Sequence, residues 1–208
     1  MHNFTRFLAV AAILATSASC GKVARTGRGS SFLVIDSLQG IRGAALIGAP
    51  STTLTSDIIT NVFAPAPCSA TAPCPIVFGD TGQAVMHLVM KDAGSATPTE
   101  ATPINDITLT RYRVVYTRAD GRNTAGVDVP HPFDGAMTVT VSTGLTTLGF
   151  SLVRIQAKEE PPLVLLLSPF SGIITEFAEV TFYGTDQAGN AVSVSGTIQI
   201  NFGNFGDL

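Results

Sequence analysis

Three cysteines and one Asp/His cluster are the side chains of this 208-residue chain whose types and spacing could do chemistry. Cys68 and Cys74 stand together in the turn-like segment APCSATAPCP. Their spacing is not that of a C-x-x-C redox motif, and no nearby histidine completes a zinc site. The pair therefore reads as a disulfide stapling a small loop. Cys20 stands apart, at the end of the leader MHNFTRFLAVAAILATSAS. Asp128, His131 and Asp134, within GVDVPHPFDG, set two carboxylates and an imidazole at spacings of three, types that can ligate a metal. Pro130 and Pro132 suit a rigid inter-strand loop, and exposed Asp and His are ordinary there, so the expectation is loop structure without metal.

Residues 1 to 19 hold one basic residue, Arg6, and no acid. The apolar stretch Phe7 to Ala15 follows, then the small residues Thr16, Ser17, Ala18 and Ser19. That is the order of an export signal. The apolar stretch is about half the roughly 20 residues a spanning helix needs, so removal is expected. Ser17-Ala18-Ser19-Cys20 resembles the lipobox of bacterial lipoproteins, with Ser17 where that family usually has Leu. The resemblance implies that Cys20 is acylated and becomes the mature N-terminus, and that Gly21, in place of Asp, favours sorting to the outer membrane. Ordinary signal cleavage nearby is the alternative, and it leaves an odd thiol that lipidation accounts for. Residues 20 to 30, Cys20 followed by GKVARTGRGS, read as a flexible tether of about 17 Å root-mean-square span.

Composition narrows the classes. Lys and Arg number 12 against 15 Asp and Glu, and Arg6 leaves with the leader, so the mature chain is acidic and lacks the basic patch that nucleic acid requires. Charged residues are 13% of the chain against a usual quarter or so, the profile of an exported β protein. The length after the leader is enough to bury a core in one domain, 31 to 208.

Period-two alternation sets the strands. In Val192 to Phe202, Val192, Val194, Ile198, Ile200 and Phe202 share one parity, and Gly196 interrupts it at a bulge or close approach. Val180 and Phe182 alternate with Thr181 and Tyr183, and Asp186 to Asn190 supplies turn chemistry, which makes a hairpin. Tyr112, Val114 and Tyr116 share a core parity, as do Met137, Val139 and Val141. Ala84 to Met90, apolar on both parities apart from His87, reads as a strand covered on two sides. Phe32 to Ser37, Leu148 to Ile155 and Leu163 to Leu167 complete roughly eight strands, and a sandwich is expected. No sustained helical stripe appears.

Val180-Thr-Phe-Tyr-Gly-Thr-Asp-Gln-Ala-Gly-Asn190 with its following strand resembles the closing hairpin of bacterial immunoglobulin-like domains, often V-T-x-x-A-T-D-x-A-G-N. Gly184 stands where Ala is common. The resemblance implies an all-β, immunoglobulin-like antiparallel sandwich. Such a domain needs about 100 residues, and the excess lies in two insertions, 50 to 80 and 92 to 106, where a binding surface could be placed.

Catalysis finds no motif. There is no G-x-S-x-G, and the mature chain keeps only His87, which reads as a hydrogen-bonded core residue, and His131. Glu159-Glu160 before Pro161-Pro162 reads as a solvated strand end. Trp is absent, so Tyr183 is the outward aromatic available for stacking. Leu163, Leu165 and Leu167 form either a buried central strand or an exposed partner-binding edge. The expectation is a non-enzymatic, cofactor-free envelope protein, held to the membrane by its N-terminal lipid and acting on a protein partner, with Leu163, Leu165, Leu167 and Tyr183 as contact candidates. A carbohydrate or small-ligand module around Tyr183 is the alternative, and a metal-dependent hydrolase using residues 128 to 134 the third reading.

Overall fold

Alternating apolar and polar residues build two facing sheets in the computed structural model, which describes residues 29–44, 48–92, 94–97, 99–168 and 172–205. Cys20, the leader and most of the tether lie outside the described residues. The strands are β1 (Ser31–Ile41), β2 (Thr53–Asp57), β3 (Thr60–Val62), β4 (Cys74–Ile76), β5 (Asp80–Met90), β6 (Ile107–Arg118), β7 (Phe133–Val141), β8 (Thr146–Val153), β9 (Ile174–Asp186) and β10 (Ala191–Gly203). One short helix, α1 (Ile155–Glu159), and 3-10 turns at Pro103–Asn105 and Leu163–Leu167 complete the regular elements among the described residues. No helix among these residues is long and apolar enough to cross a membrane.

The order β1-β5-β8 forms one sheet and β2-β10-β9-β6-β7 the other, with β3 and β4 as a separate ribbon. Neighbours run antiparallel except β2, which pairs parallel with β10. Gly40 and Ser51 exchange backbone hydrogen bonds at 2.8 and 2.9 Å, so the chain crosses from one sheet to the other along a bridged edge.

The inward parities meet in one core. Phe182, Phe202, Ile200, Leu109 and Val180 from the five-stranded sheet face Met86, Ala84 and Leu152 from the other, and all are fully buried. Burying each large side chain contributes about 1.5–3 kcal/mol. Tyr112, Phe150 and Phe182 pack with ring centroids at 5.3 Å along the Phe150 contacts. The two tyrosines of β6 also satisfy their hydroxyls across the core. Tyr116 donates to the Leu152 carbonyl at 2.6 Å, and Tyr112 accepts from the Ser151 N–H at 3.1 Å. Buried phenols need such partners.

The predicted hairpin forms with Ala191 opposite Thr185, and Asp186 accepts the Ala188 and Asn190 N–H groups in its turn. Gly184 has a local reason. It lies opposite Leu109 beside the β6 bulge, where a Cβ would run into the Thr108 carbonyl. At Gly196 a Cβ would meet Ile35 and Leu38 methyls at 3.2 Å, so β1 approaches β10 closely there without a bulge.

The structure differs from expectation at Leu163–Leu167, Glu159, the second face of β5 and His87. Leu163–Leu167 is a 3-10 turn, not a strand: Leu163 and Leu166, three apart, fall on one side and are buried, as its threefold period requires. Glu159 ends α1 and so is not a strand end. The second face of β5 is only partly covered, because Val85, His87 and Val89 are half-buried there. His87 consequently lies off the core, with Nδ1 at 2.7 Å from Asp36 Oδ2.

Candidate functional site

Strand direction divides the connections between two ends. β1 begins beside the Asp186 turn, where Gly29 packs against the Asp186 carboxylate, and runs about 35 Å to the other end. At the end where β1 begins lie 91–92, 94–97 and 99–106, the short 142–145 link and the 187–190 turn. At the distal end lie 42–44, 48–52, 58–79, 119–132, 154–168 and 172–173. The two insertions singled out in the sequence thus sit mainly at opposite ends.

Exposed large apolar side chains concentrate distally. Phe63 follows β3 and Ile76 ends β4 of the ribbon, Val127 tips the β6–β7 connection, and Ile155, Leu165 and Ile173 punctuate the path from β8 to β9. Leu165 and Ile173 are 61% and 62% exposed. Phe177, on the outer face at the start of β9, continues this set. The end where β1 begins exposes Ile104 and Leu145. Residues 58–79 and 161–175 carry no Asp, Glu, Lys or Arg. In the ribbon, the disulfide joins Cys68 to Cys74 with Cα atoms 5.3 Å apart.

A buried polar frame holds this end. Lys158 of α1 places Nζ 2.9 Å from Asp80 Oδ2 and donates to the Asp57 carbonyl at 2.8 Å. Asp80 also accepts Ser56 Oγ at 2.5 Å and the Gly43 N–H at 2.8 Å, and Arg42 pairs with Asp57 at 2.6 Å. Burial pushes the Lys158 ammonium below its usual value, and the Asp80 charge opposes that shift. Ser56, Asp57, Asp80 and Lys158 are all buried, and together they brace the loops that meet here.

The Asp128, His131 and Asp134 side chains do not converge. Asp134 bridges Arg111 at 3.0 Å and Arg113 at 2.9 Å, while Asp128 accepts the Thr124 N–H at 3.2 Å. No group of three His, Cys, Asp or Glu residues that could hold a metal occurs among the described residues. His131 instead borders a cleft of about 310 Å³ with Arg154, Gln156 and Glu160, whose grouping the sequence did not disclose. The Arg154 guanidinium lies 3.8 Å from the Phe133 ring centroid and donates to the Asp134 carbonyl at 2.7 Å.

Of the contact candidates, Leu165 is exposed, Leu167 half-buried and Leu163 fully buried, so Leu163 supports the turn from inside. Tyr183 lies on the outer face of the five-stranded sheet, away from Leu165, with the Arg111 guanidinium over its ring at 4.2 Å. That contact covers one stacking face.

Sequence reasoning missed Glu176. It lies on the inner parity of β9, fully buried, and neither carboxyl oxygen has a hydrogen-bond partner. Burial pushes its carboxyl up to about 8 against the opposing pull of Arg118. Only its place in the core parity of β9, two residues before Ala178, could have flagged it.

Comparison with known proteins adds no relative: no protein-family model matches the chain, no curated protein matches it, and no solved structure matches it.

Proposed function

We infer that this is an exported, lipid-anchored envelope protein whose immunoglobulin-like domain works through protein contact at its distal end. The observation that carries the reading is the grouping of exposed apolar side chains on uncharged connections opposite the point where the tether enters. Solvated apolar surface gathered at one end of a domain is the signature of a contact site. The orders β1-β5-β8 and β2-β10-β9-β6-β7 correspond to A-B-E and A′-G-F-C-C′ in immunoglobulin-like lettering, which supports that fold assignment. Fold alone gives no function, so the surface has to carry the argument. A small ligand is the second reading, and the His131–Arg154–Glu160 cleft is its seat, since Arg111 covers the Tyr183 ring.

The test is crosslinking and mass spectrometry on the native envelope with Leu165→Lys, Ile173→Lys and the double variant. Recovery of the crosslinked partner should drop with an unchanged melting curve. Deleting 94 to 103, at the tethered end, should leave recovery intact. Unchanged recovery in the double variant, or loss only on the tethered-end deletion, refutes the distal assignment.

A further inference from the structure

The geometry points to an ionic switch in which Glu176, buried and unbonded, competes with Asp120 for the Arg118 guanidinium and so controls the turn that opens the β6–β7 connection. Arg118 and Glu176 are direct cross-strand partners at the distal ends of β6 and β9. Opposed residues of an antiparallel pair have Cβ atoms about 4.5–5.5 Å apart, well within the reach of an arginine side chain. Arg118 nonetheless turns away, donating to Asp120 Oδ2 at 2.7 Å, and its own N–H is held by Asn123 Oδ1 at 2.8 Å. Arg122 closes the same turn by donating to Asp120 at 2.8 and 3.1 Å. A buried carboxyl with no donor is tolerable while it is neutral and costly once ionised.

The groups acting on Glu176 define the competition. β6 contributes Arg118 and the buried Tyr116, and the following turn contributes Asp120 backed by Arg122. On β10 its opposite partner is the apolar Ile200. Beyond Tyr116 stand Asp80 of β5, paired with Lys158 of α1, and Arg154, which is occupied by the Asp134 carbonyl and the Phe133 ring. Arg118 is therefore the cation placed to answer a charge on Glu176. While Glu176 is protonated, Arg118 serves the turn. When Glu176 loses its proton, the desolvated carboxylate outbids Asp120, which retains Arg122 and open solvent. The turn at 119–123 then loses its ionic tie to β6 and keeps only the Asn123 and backbone hydrogen bonds, which loosens the segment leading to Val127 and His131. This inference concerns the domain itself and stands whether or not the distal end binds a protein.

The experiment is carboxyl-carbon NMR of Glu176, with Arg118 Nε shifts and amide hydrogen exchange over 119–132, on the whole mature chain across a pH range centred on about 8. One Glu176 transition near that value, an Arg118 shift with the same midpoint, and a severalfold loss of protection relative to Glu176→Gln are expected. Asp120→Asn should move the Glu176 midpoint downward, because Arg118 is freed beforehand. Should Glu176→Gln fold poorly, Glu176→Met provides the non-titrating reference. A Glu176 midpoint in the ordinary carboxyl range, an Arg118 signal flat through the transition, or exchange that keeps a constant ratio between parent and non-titrating variant would overturn the switch.

Discussion

Lys158 Nζ lies 2.9 Å from Asp80 Oδ2 with neither side chain exposed, so α1 is pinned to the first residue of β5 by a charge pair inside the domain. Removing one member leaves the other charged and desolvated. Lys158→Met should lower stability by about 3–5 kcal/mol. Replacing Lys158 and Asp80 together by apolar residues should cost less than the single change, as chemical denaturation of the three variants will show. Equal losses would mean that the pair is not coupled.

Glu176 makes the opposite prediction. The unfolded chain releases this proton from about 4.5 upward, whereas the fold holds it until about 8. The stability it contributes is complete below the first value and lost as pH rises through the second. Glu176→Gln should therefore be the more stable protein at neutral pH, by on the order of 3 kcal/mol. The difference should shrink toward zero on acidification below 4.5. A gap independent of pH counts against the buried, neutral carboxyl.

The Cys68–Cys74 ring is small, so opening it should cost only about 2 kcal/mol in the chain-entropy model. The ribbon packs outside the main core, and Cys68→Ala with Cys74→Ala should keep native circular dichroism while 58–79 gains hydrogen exchange. Thiols that alkylate before reduction would contradict the bond itself.

Asp134→Asn leaves Arg111 and Arg113 without their shared carboxylate, yet all three side chains are well exposed. The loss should stay within about 1 kcal/mol. Combined replacement of Asp128, His131 and Asp134 by Ala should likewise leave partner recovery unchanged. Stoichiometric metal lost from that triple variant would revive the hydrolase reading.

Cys20→Ala should convert a detergent-phase protein into an aqueous-phase product or an uncleaved precursor. Phase partitioning with N-terminal peptide mass decides it, and a parent without acyl mass ends the lipoprotein assignment.

Where a side chain's role follows from its neighbours in sequence, it was readable. Strand parity gave the inner faces of β6, β9 and β10, and the Asp186 turn gave their hairpin, because both signals span only a few residues. The turn at Leu163–Leu167 was misread because five apolar residues satisfy a strand and a 3-10 period alike. Helix α1 is too short to show a stripe, and β2 to β4 are shorter than one clear alternation. The distal frame joins Ser56, Asp80 and Lys158 from separate parts of the chain, and no local pattern encodes that meeting. The distal apolar grouping was equally hidden, since it depends on which way each strand runs.

The entry of the chain at one end of β1, with its apolar surface at the other, also fixes how the domain bears mechanical load. On the proposed reading, a pull between the N-terminal side of β1 and a distally held partner would run along the strand axes. The β1–β5 register from Ser31↔Met90 to Ile41↔Thr81 is then sheared as a block, because its hydrogen bonds lie across the line of force and must yield together. Peeling, which breaks such bonds one at a time, would require traction from the side. Under the proposed anchoring and distal contact, resistance should therefore be greatest along β1, where the load meets these hydrogen bonds all at once.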